Sequence, residues 1–296
     1  MNQVTDQQII EILRKEAVPA LGCTEPVACA LACAKCKEVL GNVPERLDVL
    51  VSGNIYKNGM GVGIPGTGMV GLPIAAALGA VCGKSEYGLE VLKEVNEGDN
   101  LQRAKDMLGQ VTVSLKEDAP DKLYAEALAT KGNDTVKVII AHTHTNIVLV
   151  EKNGEEIFKR EFRLDTSKPE DKGPELSVKR IWDFVHEVDV KDIEFVLQGA
   201  EMNKAISAEG LNSEYGLQIG KTLKENIDKG LLEDDLLNRT LIRATAASDA
   251  RMDGCPKPVM TNSGSGNQGI TVYLPVVVAA EKFGASREQL ARALAL

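Results

Sequence analysis

Seven glycines fall between Gly53 and Gly71. No regular helix or strand tolerates that density, because each glycine gives up more backbone freedom on folding than any other residue. The stretch therefore reads as a long irregular loop. It follows a strand-like run at Arg46–Ser52 (RLDVLVS) and is a natural place for a binding site. Everything before and after it has to supply the packed structure.

Before it, Thr5 caps an amphipathic run through about Val18, and an alanine-rich helical run fills about Pro26 to Leu40. After it, strands are expected at Val111–Leu115, Thr135–Ala141 and Asn146–Glu151. The last turns through Lys152-Asn153-Gly154-Glu155, a tight hairpin dipeptide. From about Pro174 the pattern is helical again, in runs near 175–188, 190–207, 213–228, 233–252 and 269–283. These readings give an α+β protein: a mainly helical body from residues 1–44 and 161–296, and an inserted α/β lobe at 45–160 carrying the glycine-rich loop. The final SREQLARALAL opens with a Ser286–Gln289 capping box and stops at Leu296 with no glycine cap or polar tail. It reads as a helix cut short.

The net charge of −9, with no Lys/Arg block, excludes nucleic acid as an expected partner. No apolar run approaches the ~20 residues of a membrane span, and the first residues lack the pattern of a secretory signal. A cytoplasmic location is expected. Six cysteines in 296 residues are too sparse for a disulfide scaffold and should be thiols or metal ligands.

Cys29, Cys33 and Cys36 have the C-x3-C-x2-C spacing of some cluster-binding loops. On a continuous helix they stack along one face, the first and last ~10 Å apart, and read as small packing residues. Gly61–Gly66 (GVGIPG) matches a dinucleotide fingerprint formally, but Pro65 interrupts it and no strand leads directly into it. Cys23, in Gly22-Cys23-Thr24-Glu25-Pro26, is the sharper candidate. It sits where a helix begins, and the unpaired N–H groups and positive dipole end there favour a thiolate. A second candidate is the run from Cys255 to Gly269 (CPKPVMTNSGSGNQG), whose amides and hydroxyls precede a helix and suit an anion such as a carboxylate.

GCTEP together with DGCPKPVMTNSGSGNQG resembles the L-cysteine desulfidase family, which is related to the L-serine dehydratases. Ser52-Gly53-Asn54-Ile55-Tyr56-Lys57-Asn58-Gly59, continuing to Gly66-Thr67, and His142-Thr143-His144-Thr145-Asn146 extend the likeness through the chain. The resemblance implies a β-eliminating lyase that converts L-cysteine to pyruvate, sulfide and ammonia, with L-serine as a second substrate. It implies an oxygen-sensitive [4Fe–4S] cluster held by three cysteines, one iron staying open to the leaving group. Cys255 matches one ligand; the other two would lie beyond Leu296. Cys23 matches the active-site base. Asn262, Ser263, Gly264, Ser265, Gly266, Asn267 and Gln268 would hold the carboxylate, and Asn54, Lys57, Thr67, His142 and Asn146 are candidates to orient the substrate. The partner expected is thus a small amino acid, with self-association left open. The rival expectation is a non-catalytic amino-acid-binding or assembly protein that keeps the pocket and lacks the cluster.

Overall fold

The computed structural model describes residues 4–160 and 176–296. In chain order the helices are α1 (Asp6–Glu16), α2 (Thr24–Leu40), α3 (Gly53–Gly59), α4 (Leu72–Val81), α5 (Asn100–Met107), α6 (Val178–Glu187), α7 (Val190–Ile193), α8 (Val196–Asn212), α9 (Ile219–Asp228), α10 (Leu236–Met252), α11 (Gly266–Phe283) and α12 (Arg287–Ala295). One six-stranded sheet contains β1 (Arg46–Val51), β2 (Val111–Leu115), β3 (Tyr124–Lys131), β4 (Asp134–Ala141), β5 (Ile147–Lys152) and β6 (Glu155–Lys159), in the order β2-β1-β3-β4-β5-β6. The fold is α+β, as expected. No helix among the described residues is long and apolar enough to cross a membrane.

Contacts divide the chain into two compact units, one of Met1–Pro19, Asp165–Ala250 and Pro258–Leu296, the other of Ala20–Leu164 with Arg251–Lys257. The second holds the sheet. β1 runs parallel to β2, and the remaining neighbours pair antiparallel. Leu47, Val49 and Val51 on β1, Ala125, Ala127 and Ala129 on β3, and Val136, Val138 and Ile140 on β4 alternate toward one buried face. Helix α2 lies in the same core with both of its faces buried. Its alanines and cysteines are small enough for close approach on all sides. A Cβ on Gly79 of α4 would sit 2.1 Å from the Ala30 carbonyl oxygen, so the two helices touch backbone to backbone. Cys36 donates its S–H to the carbonyls of Ala127 and Val136. These contacts place α2 with the sheet, whereas the sequence division had grouped residues 1–44 with the helical body.

Three local readings change. The stretch after Ser52 is not wholly irregular: Ser52 caps α3 by accepting from the Ile55 amide, and Ile55 is buried beneath it. Helix α4 and strand β3 had no counterpart in the pattern reading. The Asn153-Gly154 turn forms with both residues at positive φ (+52° and +83°), as the hairpin signal requires. In the first unit, the Thr5–Gln8 capping box starts α1, and Ile9 and Ile10 pack with Phe184, Val185, Val188 and Ile193. The Ser286–Gln289 box likewise starts α12.

Candidate active site

Gly22 leads into α2 with φ at +77°, and an added Cβ would strike Pro65 at 2.7 Å. Only glycine fits both demands. The next residue, Cys23, is the N-cap of α2, yet its side chain makes no capping bond. Its thiol points instead to Glu25, donating to Oε2 at 2.8 Å. Thr24 donates to the same oxygen at 3.3 Å, and Asn58 Nδ2 at the end of α3 donates to Glu25 Oε1 at 3.2 Å.

Arg251, in the last turn of α10, is 3% exposed and donates from Nη2 to the Gly22 carbonyl at 2.8 Å. Asp253 and Gly254, just beyond it, are held against the glycine-rich segment. A Cβ on Gly63 would lie 2.4 Å from the Asp253 carbonyl carbon, and the Gly66 amide donates to the Gly254 carbonyl at 3.2 Å. Gly63 and Gly66 thus serve main-chain contact with the stretch leading to Cys255, which is 1% exposed.

The electrostatics differ from the sequence expectation at one decisive point. Burial pushes the Cys23 thiol up to about 12; the Glu25 charge and hydrogen bond push the same way, and Arg251 opposes them only in part. The resting group is a thiol. Its helix-start position, worth at most ~2 kcal/mol, is outweighed by lost hydration and a carboxylate at hydrogen-bond distance. Glu25 goes the other way: burial disfavours its charge, but bonds from Cys23, its own backbone and Asn58, with His144 nearby, hold it below the usual carboxylate range. His144 is pulled down by burial, with Glu25 raising it and Arg251 lowering it, so it is neutral at pH 7. The centre is a protonated Cys23, an ionised Glu25, a cationic Arg251 and a neutral His144.

The other predicted site residues have different surroundings. Asn54 and Lys57 are exposed on α3. Thr67 is buried, its hydroxyl closing the turn between Ile64 and Met69. Neither His142 nor His144 lies on a strand, because β4 ends at Ala141 and His142 takes a positive φ of +69°. His142 Nδ1 lies 2.7 Å from Asp121. Asn146 is spent on its own loop, donating to Ala141 and accepting from Arg160. In the other unit, Asn262 to Gln268 form a tight turn: Asn262 and Ser265 pair across it, and Ser263 and Gly264 have positive φ. Ser263 and Gln268 both donate to Asn262 Oδ1, Ser265 caps α11 through the Gln268 amide, and Gly266 and Asn267 form the first turn of that helix.

Glu25, Asn58, His144 and Arg251 were not singled out from the sequence, although the first three lie inside the quoted GCTEP, SGNIYKNG and HTHTN segments. Among the described residues, no group of three or more His, Cys, Asp and Glu is placed to hold a metal ion. Cys29, Cys33 and Cys36 are fully buried. Burial pushes all three thiols up, Cys29 to about 12. The described residues therefore do not assemble a three-cysteine cluster site.

The serine dehydratase alpha chain family matches residues 86–296. The chain belongs to that family. It is 50% identical over 293 residues to a UPF0597 protein of Actinobacillus pleuropneumoniae serotype 3, covering 98% of this chain and 67% of the relative. It is 48% identical over 296 residues to one of Dichelobacter nodosus (99% and 68%) and 46% identical over 302 residues to one of Parabacteroides distasonis (100% and 69%). The chain thus spans about two thirds of the length of these relatives. No solved structure matches it.

Proposed function

We propose that the chain carries the proton-transfer centre of a β-eliminating lyase acting on small α-amino acids with a β-thiol or β-hydroxyl group, L-cysteine and L-serine. The observation that carries this reading is the 2.8 Å hydrogen bond from Cys23 to Glu25, beside a buried arginine and in a family of serine dehydratase chains. Elimination needs a base able to take a weakly acidic Cα proton. A thiolate whose conjugate acid titrates near 12 is stronger than an ordinary cysteine, provided it is generated only when needed. As the resting groups stand the proton belongs on Cys23, so Glu25 receives it only once bound substrate raises the carboxyl and lowers the thiol; Arg251 is placed to balance the charge left on sulfur. The Cα–H pair then forms the Cα–Cβ double bond while the β-substituent leaves with its own bonding pair. The resulting aminoacrylate hydrolyses to pyruvate and ammonia.

Asn58 holds Glu25 in position, and neutral His144 is available as a hydrogen-bond partner to substrate. The [4Fe–4S] cofactor that the resemblance implies would take Cys255 as one ligand and assist the leaving group. The Asn262–Gln268 turn remains the proposed carboxylate-binding loop. The test is pyruvate formation from L-cysteine and L-serine under anaerobic conditions after iron and sulfide reconstitution. Protein that includes the segment beyond Leu296, where the resemblance puts the other two cluster ligands, is expected to turn over, and Cys23→Ala in it to be inactive with unchanged iron content. A Cys23→Ala protein with wild-type kcat would remove Cys23 from the mechanism.

A further inference from the structure

Strand β6 is the edge of the six-stranded sheet, and among the described residues nothing pairs with its outer side. All five of its residues are exposed, Ile157 at 54% and Phe158 at 41%. Edges of this kind are normally blunted by charge. Here the charges have an order: Glu155-Glu156-Ile157-Phe158-Lys159-Arg160. Set antiparallel against itself about its midpoint, the sequence places Glu155 opposite Arg160, Glu156 opposite Lys159 and Ile157 opposite Phe158. Every opposed pair is either oppositely charged or apolar.

The backbone permits that register because of one inserted residue. The β5–β6 register runs Leu149 to Lys159 and Val150 to Phe158, then jumps to Glu151 with Glu156, leaving Ile157 as the bulge. On β5, the Arg160 amide donates to the Val148 carbonyl, so Val148 and Val150 face β6 and the alternating Leu149 and Glu151 face β4. Residues opposite these last two, Lys159 and Glu156, must therefore turn their main-chain groups away from the sheet. In an unbulged strand those groups would fall on residues two apart, and a pairing between residues three apart could not form. The bulge supplies the odd step. It also puts the Glu156 and Lys159 side chains on one face, 2.6 Å apart, and Ile157 and Phe158 beside the partly buried Val39 and Ile147.

We propose that β6 pairs with β6 of a second copy of this chain across a two-fold axis, extending the sheet through both subunits. The main-chain bonds form between Glu156 of each copy and Lys159 of the other, with Ile157 and Phe158 packed across the axis. Such an interface is isologous, so each contact occurs twice. The inference is independent of the proposed reaction.

Sedimentation of the full chain up to about 1 mM, the range in which a small interface is populated, tests it. Wild-type protein is expected to shift from monomer to dimer with concentration. Glu156→Lys alone, or Lys159→Glu alone, puts like charges opposite each other twice and should weaken the dimer at least about tenfold. Mixing the two single variants restores complementarity in a heterodimer, as does the double exchange in one chain; both should dimerise like wild type. A monomer at every concentration overturns the proposal. So does a dimer indifferent to the single exchanges, or single variants whose mixture does not recover. Circular dichroism identical to wild type shows that each exchange leaves the fold intact.

Discussion

Replacing Glu25 by Gln isolates what the carboxylate does to Cys23. The substitution keeps the side-chain shape and an acceptor for the thiol, but removes the negative charge that lies at hydrogen-bond distance from the sulfur. A unit charge ~4 Å away at an effective dielectric of ~20 is worth about 4 kcal/mol, or about 3 pH units of titration. Burial, the largest cause of the raised value, stays, so the expected fall is smaller than that ceiling. With the Glu25 charge gone and Arg251 still lowering it, the thiol should titrate roughly 1 to 2 pH units lower. At pH 9 the wild-type thiol, near 12, is ~0.1% ionised; a fall of 2 units raises that to ~10% and speeds alkylation about 100-fold. The assay is the pH dependence of iodoacetamide labelling at Cys23, read by peptide mass, with Cys23→Ala as the blank. Because Glu25 is also the proposed acceptor of the Cys23 proton, kcat/KM should fall in the same variant even as labelling quickens. An unchanged labelling profile would refute the argument, because Glu25 would then have no electrostatic hold on the thiol.

Further outcomes follow from other contacts. Gly79→Val, placing side-chain atoms where a Cβ already meets the Ala30 carbonyl at 2.1 Å, should separate α2 from α4 and destabilise by about 3 kcal/mol or more in urea titration. Cys33→Ala removes a fully buried sulfur from the core; a loss of ~1 kcal/mol with unchanged iron in reconstituted protein is expected, while Cys255→Ala should lower bound iron. Cys29 is held as a neutral thiol in the fold, its folded value of about 12 lying above the ~8.5 of an exposed thiol. Its contribution is therefore full below about pH 8.5 and is lost as pH rises toward 12. The urea midpoint should fall over that window, and less steeply in Cys29→Ala.

Much of this fold is legible where local chemistry speaks unambiguously. The capping boxes at Thr5 and Ser286 and the Asn153-Gly154 turn each satisfy backbone groups within four residues, so tertiary context cannot easily overrule them. Strand β3 was illegible for the opposite reason. Tyr124–Lys131 (YAEALATK) has only one β-branched residue, Thr130, and its alanines at 125, 127 and 129 are there because α2 lies against that face and larger side chains would not fit. Helix α3 hid within the glycine-rich run because its stability comes from the Ser52 cap and the burial of Ile55 rather than from helix propensity.

The candidate site divides along the same line. That Cys23 begins a helix could be read from Gly22 and Pro26, and it does. Its protonation state could not, because the ionisation of a buried group is a sum over neighbours, most of them remote in sequence. Arg251 is brought in through a bond to Gly22 from 229 positions away. Asn58 comes from another helix, and His144 from the turn after β4. The local term read from the sequence, the helix terminus, is outweighed by the others. Glu25 is the local signal of the reversal, since it stands two residues from Cys23 in the first turn, where a carboxylate is itself a preferred occupant of the positive end. A helix start can hold one anion well, and here the carboxylate takes that place and leaves the proton on sulfur. Catalysis by Cys23 then requires that proton to move onto Glu25, which makes the pair, rather than the cysteine alone, the unit on which selection for the chemistry would act.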